Sequence, residues 1–558
     1  MEQVQKSTIT IILLQSFLFF GLLSVYFGKD NIWDIRNYHY YNAHAFLHNR
    51  LGYDYLPAGL QTFLNPLPDL PYYYLIEFTP PVVAGFIMGG IHGLNFWLIF
   101  LLALWFCDSA FTQIGAGKKL IFALFSAGVG VYGGGFLPVL GTATNDNLVS
   151  IFVLSSLLLI IKAGRESAAT PAHRKICYVL LSGLVMGMGI GFKLTVLTFG
   201  LGFLIALPFQ ATSWRERLVV GGWWGLGMVS GVLLSAGAWM FKMWNLFGNP
   251  LFPFYNRIFQ SPYISATNYT MNKYFPDDWV QGLFYPFYFA ITDTNALEIP
   301  FRDARWAVIY ILLLGTALLK IYRKRSGSGS GSVRQVQPNT EHDTGFARLS
   351  VFLIIFFISS YLIWQLRFSL YRFLIPLELL APVIIAILIT RLIRSHKLQI
   401  MLLALVFTGI IASVEYSHWE RLSWKSRFFE IDLPEIEHPE NTIVLITQKK
   451  AWSYLIPFFP PALRFVRVNT YFTEPGDDNK FQAEMSALLK QHKGPIYLLS
   501  NMIYEFDDQE IISRYGLRMS AAPAAPIKSR HELVPGLMLW KLERIMEVSD
   551  SSLNEIEK

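Results

Sequence analysis

The sequence predicts an α-helical polytopic membrane protein of about eleven spans with a small C-terminal α/β domain. Three observations lead there. Of 558 residues, 53% are hydrophobic, 16% aromatic and only 15% charged, a balance too apolar for a chain surrounded by water. The apolar residues are gathered in long runs, near the roughly 20 that a helix needs to cross a bilayer. From about residue 417 hydropathy falls and short β-like runs replace the long ones.

In chain order the expected spans are 8–27, 94–112, 119–138, 147–162, 176–192, 194–209, 218–241, 306–321, 349–364, 373–391 and 398–415. The first has a weakly basic start and no small-residue cleavage site, so it reads as a retained span. Residues 72–93, PYYYLIEFTPPVVAGFIMGGIHG, are apolar but interrupted by Pro80, Pro81 and several glycines, and are expected to form helices that lie in the membrane interface or tuck against the bundle. With the N-terminus in the cytoplasm, the short basic connections fall on one side: Lys118 and Lys119, then Lys162 to Lys175, Arg215 and Arg217, Lys320 to Arg325, and Arg391 to Lys397. That is the bias of cytoplasmic loops. The formal charge of +7 is therefore topology, and no nucleic-acid partner is expected. The opposite face takes the long connections 28–93, 139–146, 242–305 and 365–372, and everything after 416. The expected domains are a membrane part, 1–416, with outer loops 28–93 and 242–305, and an extracytoplasmic α/β part, 417–558. In the latter, Thr442–Thr447, Leu463–Val468, Pro495–Ser500 and Leu537–Leu542 read as strands, and Phe481–Gln491 and Gln509–Tyr515 as helices. The SGSGSGS stretch at 326–332 reads as a flexible tether. Cys107 and Cys177 lie in or beside apolar runs, and no structural disulfide is expected.

The stretch Trp33–Pro71 carries the densest chemistry. Asp34 follows the first span by a few residues, and Arg36, His39, Tyr40, His44 and His48 come behind it. Asp34 is read either as a helix-flanking charge or as a catalytic acid. Asp146, in GTATNDNLVS, is either an N-cap or a second acid on the same face. Together the two carboxylates would hold a divalent cation, Mg or Mn, or divide base and orienting roles. Lys193 interrupts two apolar runs, and Arg367 and Arg372 lie between two spans in WQLRFSLYRF. These cations would bind phosphate by charge-assisted hydrogen bonds, or anchor headgroups. His39 and Tyr40 are candidates for substrate contact. His44 and His48 are one helical turn apart but lack the neighbouring Glu of a zinc-protease signature. The aromatic and proline-rich stretch 247–289 suggests a structured lid.

An acid after the first span, interfacial helices in a long first outer loop, a second acid in the next, a lid-like loop and a C-terminal extracytoplasmic domain resemble the GT-C superfamily of integral membrane glycosyltransferases. NYHYYNAHAFLHNR, NPLPDLPYYYL and GNPLFPFYNRIFQSP are similar to bacterial members of that group, which suggests a bacterial inner membrane. The resemblance covers the chain to about 416. It implies transfer of a sugar from a polyprenyl-phosphate donor to a lipid, glycan or protein acceptor, with inversion. Asp34 would be the first-loop catalytic acid and Asp146 the second-loop acid that in some relatives helps hold a metal. Lys193, Arg367 and Arg372 would meet the lipid phosphate. Asp34 lacks the acidic neighbour that many relatives show. Competing readings are an O-antigen polymerase or ligase, a transporter or lipid flippase, and a membrane scaffold. The transporter would show matching halves, and no such symmetry is visible.

Overall fold

The computed structural model describes residues 6–166, 171–211, 213–268, 272–291, 296–325, 341–521, 524–532 and 535–545. Among them nine helices are long and apolar enough to cross a membrane: Lys6–Phe27, Pro81–Ala110, Asp146–Arg165, Ala172–Phe192, Trp214–Phe247, Arg305–Arg325, Gly345–Arg367, Tyr371–Leu392 and His396–Ser413. Shorter helices occupy the two remaining expected spans, Ala116–Val131 and the apolar stretch Leu194–Gln210. The protein is a multi-pass membrane protein. The tether at 326–332 lies outside the described residues.

Two expectations are corrected. The span expected at 94–112 begins earlier: Pro81 opens one 30-residue helix that runs to Ala110, so 81–93 tuck against the bundle as part of it, while 72–78 lie in the separate helix Leu70–Phe78. Proline is well placed at the first position of a helix, where its missing N–H costs nothing. The glycines in this helix serve close packing. A Cβ at Gly89 would come 2.5 Å from Phe20 O, and one at Gly93 would come 2.8 Å from Ser16 O, so the first span packs where the glycines leave room. The third span is shorter than expected. Its helix stops at Val131, where Gly133–Gly135 begin an irregular segment that continues to Asn145.

The chain divides into two compact units. The first comprises Met1–Asp30, Val82–Ala238 and Thr270–Arg421; the second comprises Asn31–Pro81, Trp239–Tyr269 and Leu422–Lys558. In the first unit the helix Tyr371–Leu392 is central, with 89% of its apolar window buried against 22% for Arg305–Arg325. The packing of Ala172–Phe192 on Trp214–Phe247 depends on small residues. A Cβ at Gly183 would lie 2.0 Å from Trp224 O, and one at Gly187 2.0 Å from Met228 O; from the other side, one at Gly227 would lie 2.2 Å from Leu180 O and one at Gly231 2.1 Å from Leu184 O.

The second unit is built on a six-stranded sheet. Its strands are β1 (Ile443–Ile446), β2 (Arg464–Arg467), β3 (Ile496–Asn501), β4 (Leu517–Met519), β5 (Ala525–Pro526) and β6 (Leu537–Arg544). The order is β5-β6-β3-β1-β2, with β4 also on β6. β1 lies parallel to both β2 and β3, with Leu445 opposite Val466 and Leu498, and β6 is antiparallel to β3. The four main strands and the helix Lys480–Gln491 fall where the sequence puts them, while the second helix, Glu505–Ser513, begins before the expected Gln509 and ends before Tyr515. β1 is buried throughout, as a parallel strand covered on both faces must be.

Candidate functional site

In the first unit, residues 132–145 leave the helical pattern, and side chains from distant elements satisfy their backbone. Glu378, fully buried on the central helix, accepts from Gly135 N and Phe136 N at 2.9 Å each. Arg305, also fully buried, donates to Tyr132 O at 2.5 Å and Glu378 O at 2.9 Å and pairs with Asp303 at 2.7 Å. Arg421 Nη2 donates to Pro138 O and Leu140 O, both at 2.9 Å. His92 Nδ1 accepts from Gly141 N at 3.0 Å, and Asp30 Oδ2 accepts from Ala143 N at 2.9 Å. Gly141 has φ +71°, and a Cβ there would come 1.9 Å from Ser24 Oγ, so only glycine fits. Buried carbonyls and amides must be paired, and here four charged side chains do much of it. The segment is held rigidly as it delivers the next helix.

Asn145, in the left-handed region at φ +59°, occupies the N-cap. Asp146 is therefore in the first turn of its helix and is not the cap. Its Oδ1 lies 2.5 Å from Lys193 Nζ, which also donates to Thr144 O at 3.0 Å. Arg372 Nε stands 3.8 Å from Asp146 Oδ2, and Arg372 Nη2 3.4 Å from Glu298 Oε1. Both cations flank the Phe373 ring, at 5.0 and 5.8 Å from its centroid. The three side chains are 3%, 17% and 11% exposed for Asp146, Lys193 and Arg372. Lys193 reaches this position because the helix Ala172–Phe192 ends beside it and its own backbone is extended. Arg367 is exposed at the end of Glu341–Arg367 and does not join the cluster.

In the second unit, Asp34 is buried and precedes the five-residue π-helix Ile35–His39. Such wide turns are rare and occur often at functional positions. Arg36 Nε donates to Asn31 O at 3.1 Å, and Arg36 Nη1 lies 3.9 Å from Glu532 Oε1. His39 Nδ1 is 2.7 Å from Asp69 Oδ1, and Tyr40 OH donates to Glu77 Oε1 at 2.5 Å. Burial, and then the Glu77 carboxylate, push the Tyr40 phenol well above its usual value, so it acts as a hydrogen-bond donor. Burial lowers His44 to about 3, helped by the charges of His48 and Arg50. Thus His39 and Tyr40 are tied into pairs of their own unit, and Asp34 and Asp146 belong to different units.

Neither a protein-family model nor a curated protein matches the chain. Among solved structures, the apo form of the Archaeoglobus fulgidus oligosaccharyltransferase is similar, at 10% identity and a TM-score of 0.43, over 92% of this chain and 71% of that one. A likeness this loose carries no functional argument, which must come from the residues themselves.

Those residues include several that no spacing in the sequence singles out. Asp30, Glu298, Asp303, Arg305 and Glu378 support or flank the Asp146 cluster, and apart from the Asp303–Arg305 pair their partners lie far away in the chain. Asp69 was visible within NPLPDLP, but nothing local indicates that it meets His39. Among the described residues, no three His, Cys, Asp or Glu side chains gather as a metal site. Asp146 is already compensated by two cations, so no chemistry below is derived through a metal. An apolar cleft of about 640 Å³, lined by Ile12, Phe19, Phe20, Phe96, Tyr132 and Leu137 among others, lies beside the first span. Tyr132 and Leu137 belong to the segment that leads to Asp146.

Proposed function

We propose that the protein is a membrane glycosyltransferase that moves a sugar from a polyprenyl-phosphate donor to an acceptor on the extracytoplasmic face, with inversion. The observation that carries this reading is the Asp146–Lys193–Arg372 cluster at the ends of membrane helices. Charges in such positions are expensive and tend to mark function. The resemblance of the first outer loop to GT-C enzymes supports it.

In this reading a carboxylate orients the acceptor hydroxyl or takes its proton as the oxygen attacks the anomeric carbon, the role that the GT-C resemblance gives to Asp34. The bond from that carbon to the phosphate oxygen breaks, and the leaving phosphate carries the charge away. Lys193 and Arg372 stabilise that developing charge. Asp146, 2.5 Å from Lys193 Nζ and 3.8 Å from Arg372 Nε, holds the two cations in place. A carboxylate near the anomeric carbon also favours the oxocarbenium-like transition state. The lipid tail lies in apolar surface between spans, and the cleft beside the first span offers such surface. The acceptor is a lipid, glycan or protein, and the host membrane is a bacterial inner membrane.

The test is transfer from a panel of radiolabelled polyprenyl-phosphate sugars in membranes holding wild type, Asp34→Asn or Asp146→Asn at equal expression. One donor is expected to be consumed by wild type, and Asp34→Asn to lose about 10²-fold or more of the rate. Equal transfer by Asp34→Asn would remove it from the chemistry. A chelator arm addresses the cation: with Lys193 and Arg372 supplying the charge, EDTA leaves the rate intact. A loss restored by Mg or Mn would put a metal at the carboxylates instead.

A further inference from the structure

Arg467 ends β2 in the second unit and is 3% exposed. Its Nη1 donates to Gln448 O at 2.9 Å. Its Nε and Nη2 are both buried and have no hydrogen-bond partner among the described residues. Those two nitrogens lie on one edge of the guanidinium, where their N–H bonds run parallel. That edge is the fork that matches two oxygens of a carboxylate or phosphate. A guanidinium taken out of water with its fork empty is costly, and burial lowers its pKa to about 9, an unusual setting for arginine.

The surroundings suit a small anion. Arg467 and Gln448 stand at the carboxyl ends of β2 and β1, the edge where open parallel sheets bind ligands. Lys449 and Lys450 follow directly, and Tyr471, which is 59% exposed, acts electrostatically on the guanidinium. Lys449 sits 5.3 Å from the Tyr471 ring and pairs with Glu474. Asp508 accepts from Thr447 Oγ1 and Gln448 Nε2 at 2.5 Å each, which fixes the Gln448 side chain and leaves its carbonyl to Arg467.

We propose that Arg467 anchors a binding site for an oxyanion, a phosphate or carboxylate group of a small ligand, at the carboxyl edge of the β1–β2 pair. The site does not depend on the proposed transfer reaction. Inorganic phosphate and glucuronate, added to the full-length protein in detergent at matched ionic strength, are the two probes. Bound anion raises the unfolding midpoint in proportion to the logarithm of its concentration. A response to phosphate alone assigns a phosphoryl ligand, and a response to glucuronate alone or to both assigns an acidic-sugar carboxylate. Arg467→Lys, which keeps the charge and loses the fork, is expected to weaken the response about 10-fold, the equivalent of one charge-assisted hydrogen bond. Arg467→Met is expected to abolish it, while raising the midpoint of the anion-free protein because an unpaired buried charge is gone. A map of the wild type in phosphate supplies a readout that needs no variant: density is expected across Nε and Nη2. The proposal is overturned by no response to either probe, by a response that survives in Arg467→Met, or by a map showing only water or a carboxylate of this chain on that edge.

Discussion

His44 shows what burial does to a titratable group in residues 31–81. Its ring stacks on His48 at 4.1 Å and is held neutral, with a pKa of about 3. The unfolded chain takes up a proton at about 6.5, so between those values the unfolded state binds more protons and acid favours it. The contribution is fully present above about pH 6.5 and is lost as pH falls towards 3. Unfolding midpoints of wild type and His44→Gln, compared at pH 7.5 and pH 5, are expected to show the larger acid loss in wild type; equal losses would mean that His44 is not held neutral. The neighbouring residues show how far individual side chains are legible. Asp146, Lys193 and Arg372 were visible as charges out of place among apolar runs, and they meet. Arg367 had the same signature and stays exposed, because one residue of phase at a helix end decides which way a side chain faces. Arg305 and Glu378 were invisible, since most of their partners are carbonyls and amides between 73 and 243 residues away and no spacing rule links them. Arg467 looked like an ordinary strand residue in LRFVRV; only its burial and its empty fork distinguish it.

At the level of elements, the four main strands and two helices of the C-terminal sheet were readable because period-2 and period-3.6 patterns were bounded by polar turns. The membrane helices were readable as runs, and their ends were not. At 80–93 the prolines and glycines read as interruptions in the sequence, whereas in the fold Pro81 opens a helix and the glycines let it approach the first span. Gly183, Gly187, Gly227 and Gly231 serve close approach in the same way, and their spacing of four places each pair on one helix face. Their contacts predict that Gly187→Leu, which drives a side chain into Met228 O, destabilises the first unit by about 1–3 kcal/mol or more through overpacking. Gly221→Leu, at a position on the same helix as Gly227 with nothing within 4 Å, is expected to be tolerated. Thermal midpoints in detergent separate the two, and equal loss from both would show that the close approach is not what the glycines supply.

For the whole molecule, the charge bias of the connections predicts residues 326–332 in the cytoplasm and the sheet of 443–544 outside it. Reporter fusions within 326–332 and after residue 545 are expected to report opposite sides; the same side for both would place the candidate acids in the wrong compartment for a lipid-linked donor. The second unit joins 31–81 to 422–558 in one compact body, an assembly no linear division of the chain suggests, because packing and not sequence proximity defines it. The central claim is that this chain alone transfers a sugar from a polyprenyl phosphate. Its most direct test uses purified protein in liposomes with labelled donor and acceptor, comparing wild type with Asp34→Asn. The account predicts labelled product from wild type and formation slower by about 10²-fold or more in the variant. Movement of the donor across the bilayer with no product from either would contradict it and make the protein a lipid transporter.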